Sequence, residues 1–275
     1  MKKSTIIALF LLISGSICCA VAVGMGARTV LTGGGNVLRA FRYQETEGKL
    51  TLPDGVSDAR RLVIEIDDTE LTVQTGDSWS LSGGSDVVRT LRGNTLTIEQ
   101  GKHRGWWYRS NPAPIVLTVP SDAVFDSIDL DVDAGSVTLS GLHTTGALRC
   151  EVDAGALRME DMRAAQLEAD VDVGLAEFSG VIDGTGAPVK LECDAGEIVL
   201  RLRAGSTIGR VSGKMDLGDV QVTADGVMCL NESSLSRTFD CAVPGAAGTG
   251  VLTVDCDVGS VDIAIETAAA QTDAA

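Results

Sequence analysis

The sequence contains few aromatic, proline and histidine residues, and these shortages limit the folds and the chemistry that it can support. Aromatic residues make up 4% of its 275 residues, beside six prolines and two histidines. His103 and His143 lie in different regions without an evident triad partner, and there is no nucleophile elbow, phosphate loop or metal-spaced His/Cys set. We therefore expect no enzyme activity and no cofactor.

Positive charge is also scarce, because the net charge is −16. Nucleic-acid binding depends on Lys and Arg contacts to phosphates, so we expect no nucleic-acid partner. The chain also lacks a helical hydrophobic period after residue 50. Hydrophobic residues nevertheless make up 44%, and there are 32 glycines. This composition suits an all-β fold whose narrow core is filled by Val, Leu and Ile.

The most prominent pattern in the sequence is a repeat centred on Asp-x-Gly. It reads "DLDVDAGSVTL" at 129–139 and "RCEVDAGALRM" at 149–159, and near-copies follow. The glycines that anchor the copies are Gly135, Gly155, Gly174, Gly196, Gly218 and Gly259. An earlier relative, "VIEIDDTELTV", has Thr69 at the glycine position. Most steps are close to 20 residues, and we interpret the last, longer step as two periods with a degenerate copy between them.

Apolar residues occupy odd offsets before the glycine and even offsets after it. Three residues before it stand Ile66, Val132, Val152, Val171, Cys193, Met215 and Cys256, and two after it stand Leu71, Val137, Leu157, Ala176, Ile198, Val220 and Val261. Such alternation is typical of strands, and the change of parity marks a bend that lets both arms face one core. One period therefore predicts one coil of a β-solenoid, with parallel coils of about 20–22 residues stacked roughly 4.8 Å apart. About ten coils would fit between Thr69 and Gly259, and a sandwich of antiparallel strands is the alternative.

The "VDAG-x-V" copies resemble the bacterial putative-adhesin family of β-strand-repeat proteins, a domain of unknown function. The resemblance covers about residues 60–265 and includes "NTLTIEQ" and "APIVLTVP" upstream of the repeats. It implies a β-solenoid at the cell envelope and no established catalytic residue.

The N-terminal segment is apolar and predicts membrane attachment. Lys2 and Lys3 precede an uncharged stretch from Ser4 to Ala27, which is nearer to the length of a spanning helix than to that of a secretory h-region. Ala20-Val21-Ala22 also fits a cleavage site, so a removed signal peptide is the alternative. The predicted organisation is an anchor or signal segment at 1–27, a Gly-rich linker at 28–48, a single solenoid domain at 49–266 and a flexible tail at 267–275. The charges place the repeats on the extracellular side of the cytoplasmic membrane, on a single-pass protein.

The seven cysteines do not form a disulfide framework. Cys150, Cys193 and Cys256 fall in interior columns, where thiols act as small hydrophobes. Cys229 and Cys241 lie in the degenerate copy and could close a loop as a disulfide, or they could be two more buried thiols.

The outward columns of the repeat are acidic and form the first candidate site. The predicted carboxylates of three central copies are Asp131, Asp133, Glu151, Asp153, Asp170 and Asp172. Stacked carboxylates repel one another, so they are either solvated or neutralised by cations. Calcium is the candidate metal, although it needs about six to eight converging oxygens.

The second candidate site is the segment "GKHRGWWYRSNP" at 101–112, which glycines and a proline mark as a loop. Its aromatics suit stacking on sugars or peptides and its arginines suit anions. The residues assigned to ligand contact are Arg104, Trp106, Trp107, Tyr108 and Arg109. The alternative is that the aromatics cover the side of the solenoid or touch the membrane interface.

These features favour a non-enzymatic envelope adhesin or scaffold whose ligand is a surface glycan or a protein. The alternative is an envelope-sensing protein that regulates a membrane-protein partner.

Overall fold

The structure is a computed structural model that describes residues 48–267 except 85, 101–112, 185–188 and 247, and omits the side chains of 232–237. All described residues belong to one compact unit, Gln44–Ala275. Apart from a three-residue 3-10 turn, Val56–Asp58, the regular elements are strands. They are β1 (Gly48–Leu50), β2 (Arg61–Ile66), β3 (Glu70–Gly76), β4 (Ser80–Gly83), β5 (Val87–Arg92), β6 (Thr95–Gln100), β7 (Ile115–Pro120), β8 (Val124–Phe125), β9 (Ser127–Ser140), β10 (His143–Ile182), β11 (Val189–Leu202), β12 (Ile208–Ala224), β13 (Val227–Ala242) and β14 (Gly250–Ile265).

Each repeat forms two arms that meet at the predicted corner, the position of the anchoring glycine. In β10 the first arm buries Leu148 and Val152, and the second arm buries Leu157 and Met159. The Sγ atom of Cys150 and the Sδ atom of Met159 lie 3.8 Å apart, so the two arms face the same interior. The predicted parity switch is confirmed, because every side chain of the two apolar columns is buried.

Successive coils stack in register as parallel strands. Gly155 pairs with Gly135, Gly174 with Gly196, and Gly259 with both Gly196 and Gly218. Valine, leucine and isoleucine from all coils form one continuous core. The all-β, β-solenoid-like architecture predicted from the repeat is therefore confirmed.

The order of the coils differs from the predicted one at the C-terminal end. β14 lies between β11 and β12, and β13 runs antiparallel to β12 at the edge of the sheet. The degenerate copy is thus not a coil between Gly218 and Gly259. It is the returning strand of a hairpin whose turn is Asp225-Gly226, with φ of 49° and 76°. Asp-Gly is the preferred pair for a two-residue hairpin turn of this kind, because both positions need positive φ.

The N-terminal end also departs from the prediction of about ten consecutive coils. The Thr69 corner is 66 residues before Gly135 in sequence but adjacent to it in space, since Ser136 N donates to Thr69 O. The residues between them include the antiparallel pairs β5–β6 and β4–β7. Two further strands extend the stack, with β6 beside β2 and β7 beside β3. This end coil therefore has β6 and β7 as its arms.

Within the described residues, no helix is long and apolar enough to cross a membrane. The predicted anchor at 1–27, all of the linker except Gly48 and all of the tail except Thr267 lie outside those residues.

Candidate functional site

The outward side of the first arms carries the carboxylates of the repeat, and we call it the acidic face. Alternation along each arm points Val152 inward and its neighbours Glu151 and Asp153 outward, and the latter two are exposed. Because the coils are in register, equivalent carboxylates line up from one coil, or rung, to the next. The acidic face is thus produced by the same repeat that produces the core.

One column of this face is a row of seven carboxylates, which we call the acidic row. Residue pairing places Glu99, Glu65, Asp131 and Glu151 side by side in this order, and likewise Asp170, Glu192 and Asp255. The two groups are continuous, because the Gly174 corner stacks on the Gly155 corner and Asp170 contributes to the raised pKa of Glu151. At the strand spacing of about 4.8 Å the row extends over roughly 30 Å. Lys214 occupies the next position beyond Asp255. The face therefore presents an extended line of negative charge that ends at a cation.

Repulsion between neighbouring carboxylates contributes to raised pKa values on the acidic face. Asp131 raises the pKa of the Glu151 carboxyl, and desolvation adds to this effect. Desolvation raises the pKa of Asp170 and of Asp194, with smaller contributions from Glu192 and Asp172 respectively. The pKa of a carboxyl rises when its charged form is disfavoured, here by desolvation and by neighbouring carboxylates.

Arg149 and Lys190 are two of the cations on the same face, and they neutralise part of its charge. Arg149 Nη1 lies 3.1 Å from Asp129 Oδ1, and its Nε lies 3.3 Å from Glu168 Oε2, so one guanidinium connects three rungs. Lys190 Nζ lies 2.6 Å from Glu192 Oε2. These pairs are solvent-exposed, and exposed ion pairs contribute little stability.

A shallow groove of about 440 Å³ follows this face. Its walls include Glu65, Asp131, Glu151 and Asp170 of the acidic row, together with Arg149. The groove runs across several coils and so suits an extended ligand better than a compact one.

The six carboxylates assigned to calcium all lie on this face, but on successive rungs. Among the described residues there is no group of three or more His, Cys, Asp or Glu side chains placed to hold one metal ion. Calcium binding by these residues therefore stays a prediction.

The aromatic loop residues Arg104, Trp106, Trp107, Tyr108 and Arg109 lie outside the described residues, but both ends of the loop are placed. The side-chain oxygen of Gln100 accepts hydrogen bonds from the backbone N–H groups of Asp67 and Asp68, at 3.2 and 3.0 Å. Thr69 Oγ1 donates to the carbonyl oxygen of Ala113 at 3.1 Å. Gln100 and Thr69 are buried, at 1% and 4% exposure. The described residues on either side of the loop, Gln100 and Ala113, therefore lie at the corner of the neighbouring coil.

The disulfide predicted between Cys229 and Cys241 is absent from the structure, where both residues are free thiols. They lie on one strand, β13, and Cys241 is opposite Val211 of β12. The Cys229 thiol nevertheless lies close enough to contribute, after desolvation, to the raised pKa of Cys241, and a disulfide between the two stays a prediction.

Glu99 belongs to the acidic row, but the repeat pattern does not identify it, because its coil has no Asp-x-Gly. The signal was present in the sequence, since "LTIE" at 96–99 has the same alternation as "LVIE" at 62–65. The structure pairs these two segments residue by residue.

Comparison with known proteins gives one family match. The family model described as Toastrack DUF4097 matches residues 59–236, which is more than half of the chain. No curated protein matches the sequence.

Three solved structures are similar to this chain at low sequence identity. One, provisionally described as a cell adhesion protein from Clostridium sporogenes, is 13% identical with a TM-score of 0.37, covering 82% of this chain and 100% of that one. A provisionally described adhesin from Bacteroides fragilis is 11% identical with a TM-score of 0.32, covering 80% and 97%. A provisionally described lipid binding protein from Parabacteroides distasonis is 10% identical with a TM-score of 0.38, covering 82% and 97%.

Proposed function

Since this chain belongs to the Toastrack DUF4097 family, we propose that it is a non-enzymatic binding module of the cell envelope, an adhesin or scaffold. Its ligand is an extended cationic partner, such as a basic protein segment, which lies along the acidic face. The observation that carries this proposal is the acidic row of seven carboxylates on consecutive rungs. A catalytic carboxylate pair would be concentrated at one cleft, whereas this row is distributed along the stack.

The charge balance supports a cationic partner. The acidic row and the neighbouring Asp column outnumber Arg149, Lys190 and Lys214, the cations of this face. Raised carboxyl pKa values at Glu151 and Asp170 mean that a positive ligand would relieve existing repulsion. Complementary charge also accelerates association and makes binding depend on salt.

The loop at 101–112 supplies a second contact in this proposal. The described residues that flank it, Gln100 and Ala113, are hydrogen-bonded to the corner of the neighbouring coil. Trp106, Trp107 and Tyr108 would add flat stacking surface for a glycan or a peptide side chain. The proposed binding surface therefore combines stacking at one end with negative charge along its length.

The test is a binding assay with the full chain in detergent, on poly-lysine surfaces and on bacterial cells. The row variant combines Asp131→Asn, Glu151→Gln, Asp170→Asn and Glu192→Gln, which remove charge at nearly constant volume. We expect it to bind poly-lysine roughly tenfold more weakly or worse, because several charge contacts are lost together. Binding of the unmodified chain should weaken as sodium chloride is added.

The matched control removes four exposed carboxylates away from the acidic row, by Asp122→Asn, Glu160→Gln, Glu197→Gln and Asp219→Asn. It has the same net charge as the row variant and should bind like the unmodified chain. Equal weakening of both variants would mean that total charge, not the acidic face, attracts the ligand, and the proposal would be wrong. A Trp106→Ala/Trp107→Ala variant that loses cell binding but keeps poly-lysine binding would assign cell recognition to the loop.

A further inference from the structure

Two cysteines occupy adjacent rungs of one interior column. Cys193 of β11 pairs directly with Cys256 of β14 in a parallel ladder. Their side chains are 2% and 0% exposed. The corresponding position in earlier coils is valine, at Val132, Val152 and Val171, so an aliphatic side chain suffices to fill this column.

The two cysteines lie side by side inside the core, since they are directly paired on adjacent strands. The interaction between the thiols raises the pKa of Cys193 and lowers that of Cys256. Adjacent strands in a sheet are about 4.8 Å apart, and Cα separations of about 4.4–6.8 Å are those that a disulfide bridges. Register therefore places Cys193 and Cys256 at a Cα separation that a disulfide can bridge.

We propose that Cys193 and Cys256 form a disulfide that links β11 to β14 when the protein folds in an oxidising compartment. This inference is independent of the ligand proposed above. The oxidant is a disulfide, either a small molecule or a thiol oxidase of the envelope. The Cys256 thiolate attacks one sulfur of that oxidant and expels a first thiolate. The Cys193 thiolate then attacks Cys256 Sγ, forms the Cys193–Cys256 bond and expels a second thiolate. Two electrons reduce the oxidant, and the two cysteine protons are taken up by the released thiolates.

The bond must form before β14 is fully seated, because both sulfurs are inaccessible in the folded core. It would close a loop that contains β12 and the returning strand β13. Cross-linking a long loop restricts the unfolded chain strongly, which stabilises the folded state.

The other described cysteines do not share this arrangement. Cys150 contacts the sulfur of Met159, which cannot form a disulfide. Cys229 and Cys241 are half-buried on the single strand β13 without pairing across the ladder. Peptide mapping can therefore distinguish the proposed bond from the Cys229–Cys241 alternative.

The experiment refolds the reduced full chain in detergent with oxidised and reduced glutathione, followed by alkylation and non-reducing peptide mapping. We expect one linked species that joins the peptides containing Cys193 and Cys256. Adding a reductant should lower the Tm of the oxidised protein by about 10 °C. The variant Cys193→Val/Cys256→Val restores the residue found in earlier coils, and its Tm should not respond to the reductant.

The control variant Cys229→Ala/Cys241→Ala should keep the full response of the Tm to the reductant. The proposal is wrong if both Cys193 and Cys256 are alkylated after unfolding of the oxidised protein. It is also wrong if the only linked peptides contain Cys229 and Cys241. Mapping of the unmodified protein decides between these outcomes even if the double valine variant fails to fold.

Discussion

The anchoring glycines are required by backbone contact between rungs. A Cβ atom built at Gly155 would lie 2.1 Å from the carbonyl oxygen of Gly135, and one at Gly174 would lie 2.0 Å from that of Gly155. The same contact recurs at Gly196, Gly259 and Gly218. Because backbone atoms cannot move aside as a flexible side chain can, each of these glycine corners must lack a side chain in order to stack on its neighbour.

Gly196→Ala isolates this contact, because the φ of Gly196 is outside the left-handed range that also constrains most of the other corners. The added methyl group would lie 2.1 Å from the carbonyl oxygen of Gly174. We expect a loss of about 3 kcal/mol in the free energy of unfolding, measured by chemical denaturation. Gly48→Ala is the matched control, since a Cβ there meets nothing within 4 Å. If both variants unfold alike, backbone contact at the corner does not explain the glycine column.

At the scale of the strands, the stacked first arms form both part of the core and the acidic face. Stacking buries the valine and leucine columns at the cost of placing like charges on neighbouring rungs. The raised pKa values of Glu151, Asp170 and Asp194 record this conflict. A carboxyl with a higher pKa in the folded state binds more protons there than in the unfolded state, so stability falls as the pH rises.

We therefore expect the Tm to increase when the pH falls from 7 towards the unfolded carboxyl values near 4, and to increase with sodium chloride at pH 7. Below pH values of about 4 the Tm should fall again. Hydrogen bonds from Thr267 lower the pKa of Asp225, so the charged form of Asp225 stabilises the fold and this stabilisation is lost when Asp225 is protonated. Thermal melts at low and high salt measure both effects. Glu151→Gln should reduce the response between pH 7 and 5, whereas Glu160→Gln should not.

The same thermal melts can be repeated with calcium chloride at an ionic strength matched to that of sodium chloride. A rise in Tm beyond that produced by sodium chloride would identify specific calcium binding by the acidic face. Equal effects of the two salts would mean that screening alone acts there. A Tm that is insensitive to pH and to both salts would contradict the account of repulsion along the acidic row.

The sequence predicted the coils well but not their order. Positions such as Val152 and Leu157 were assigned correctly because the same side-chain pattern recurs at each corner. The insertion of β14 between β11 and β12 could not be predicted, since the columns are so alike that β14 fits either neighbour. The Asp225-Gly226 turn was a readable local signal for the antiparallel return of β13. Most of the acidic row was predicted, while the end coil containing Glu99 required the strand pairing.

At the scale of the whole molecule, function depends on which compartment receives the repeat domain. We expect the chain to fractionate with membranes and to retain its apolar N-terminal segment, because the uncharged stretch from Ser4 to Ala27 suits a spanning helix. Mass spectrometry of the mature protein measures this directly. A mature chain that begins at Val23 would show cleavage after Ala22 and a released protein. Protease added to intact protoplasts should digest the repeats only if they face outwards.

The position of β14 also has a consequence for biosynthesis. β12 and β13 leave the ribosome or the export channel before β14, yet neither can reach its final place until β14 has paired with β11. The sheet is therefore completed by a strand of 16 residues, Gly250–Ile265, that follows all the others in the chain. A translation product that stops before Gly250 would expose the edge of β11 and part of the core, and such surfaces are targets for chaperones and proteases. The topology thus makes incomplete chains recognisable to cellular quality control.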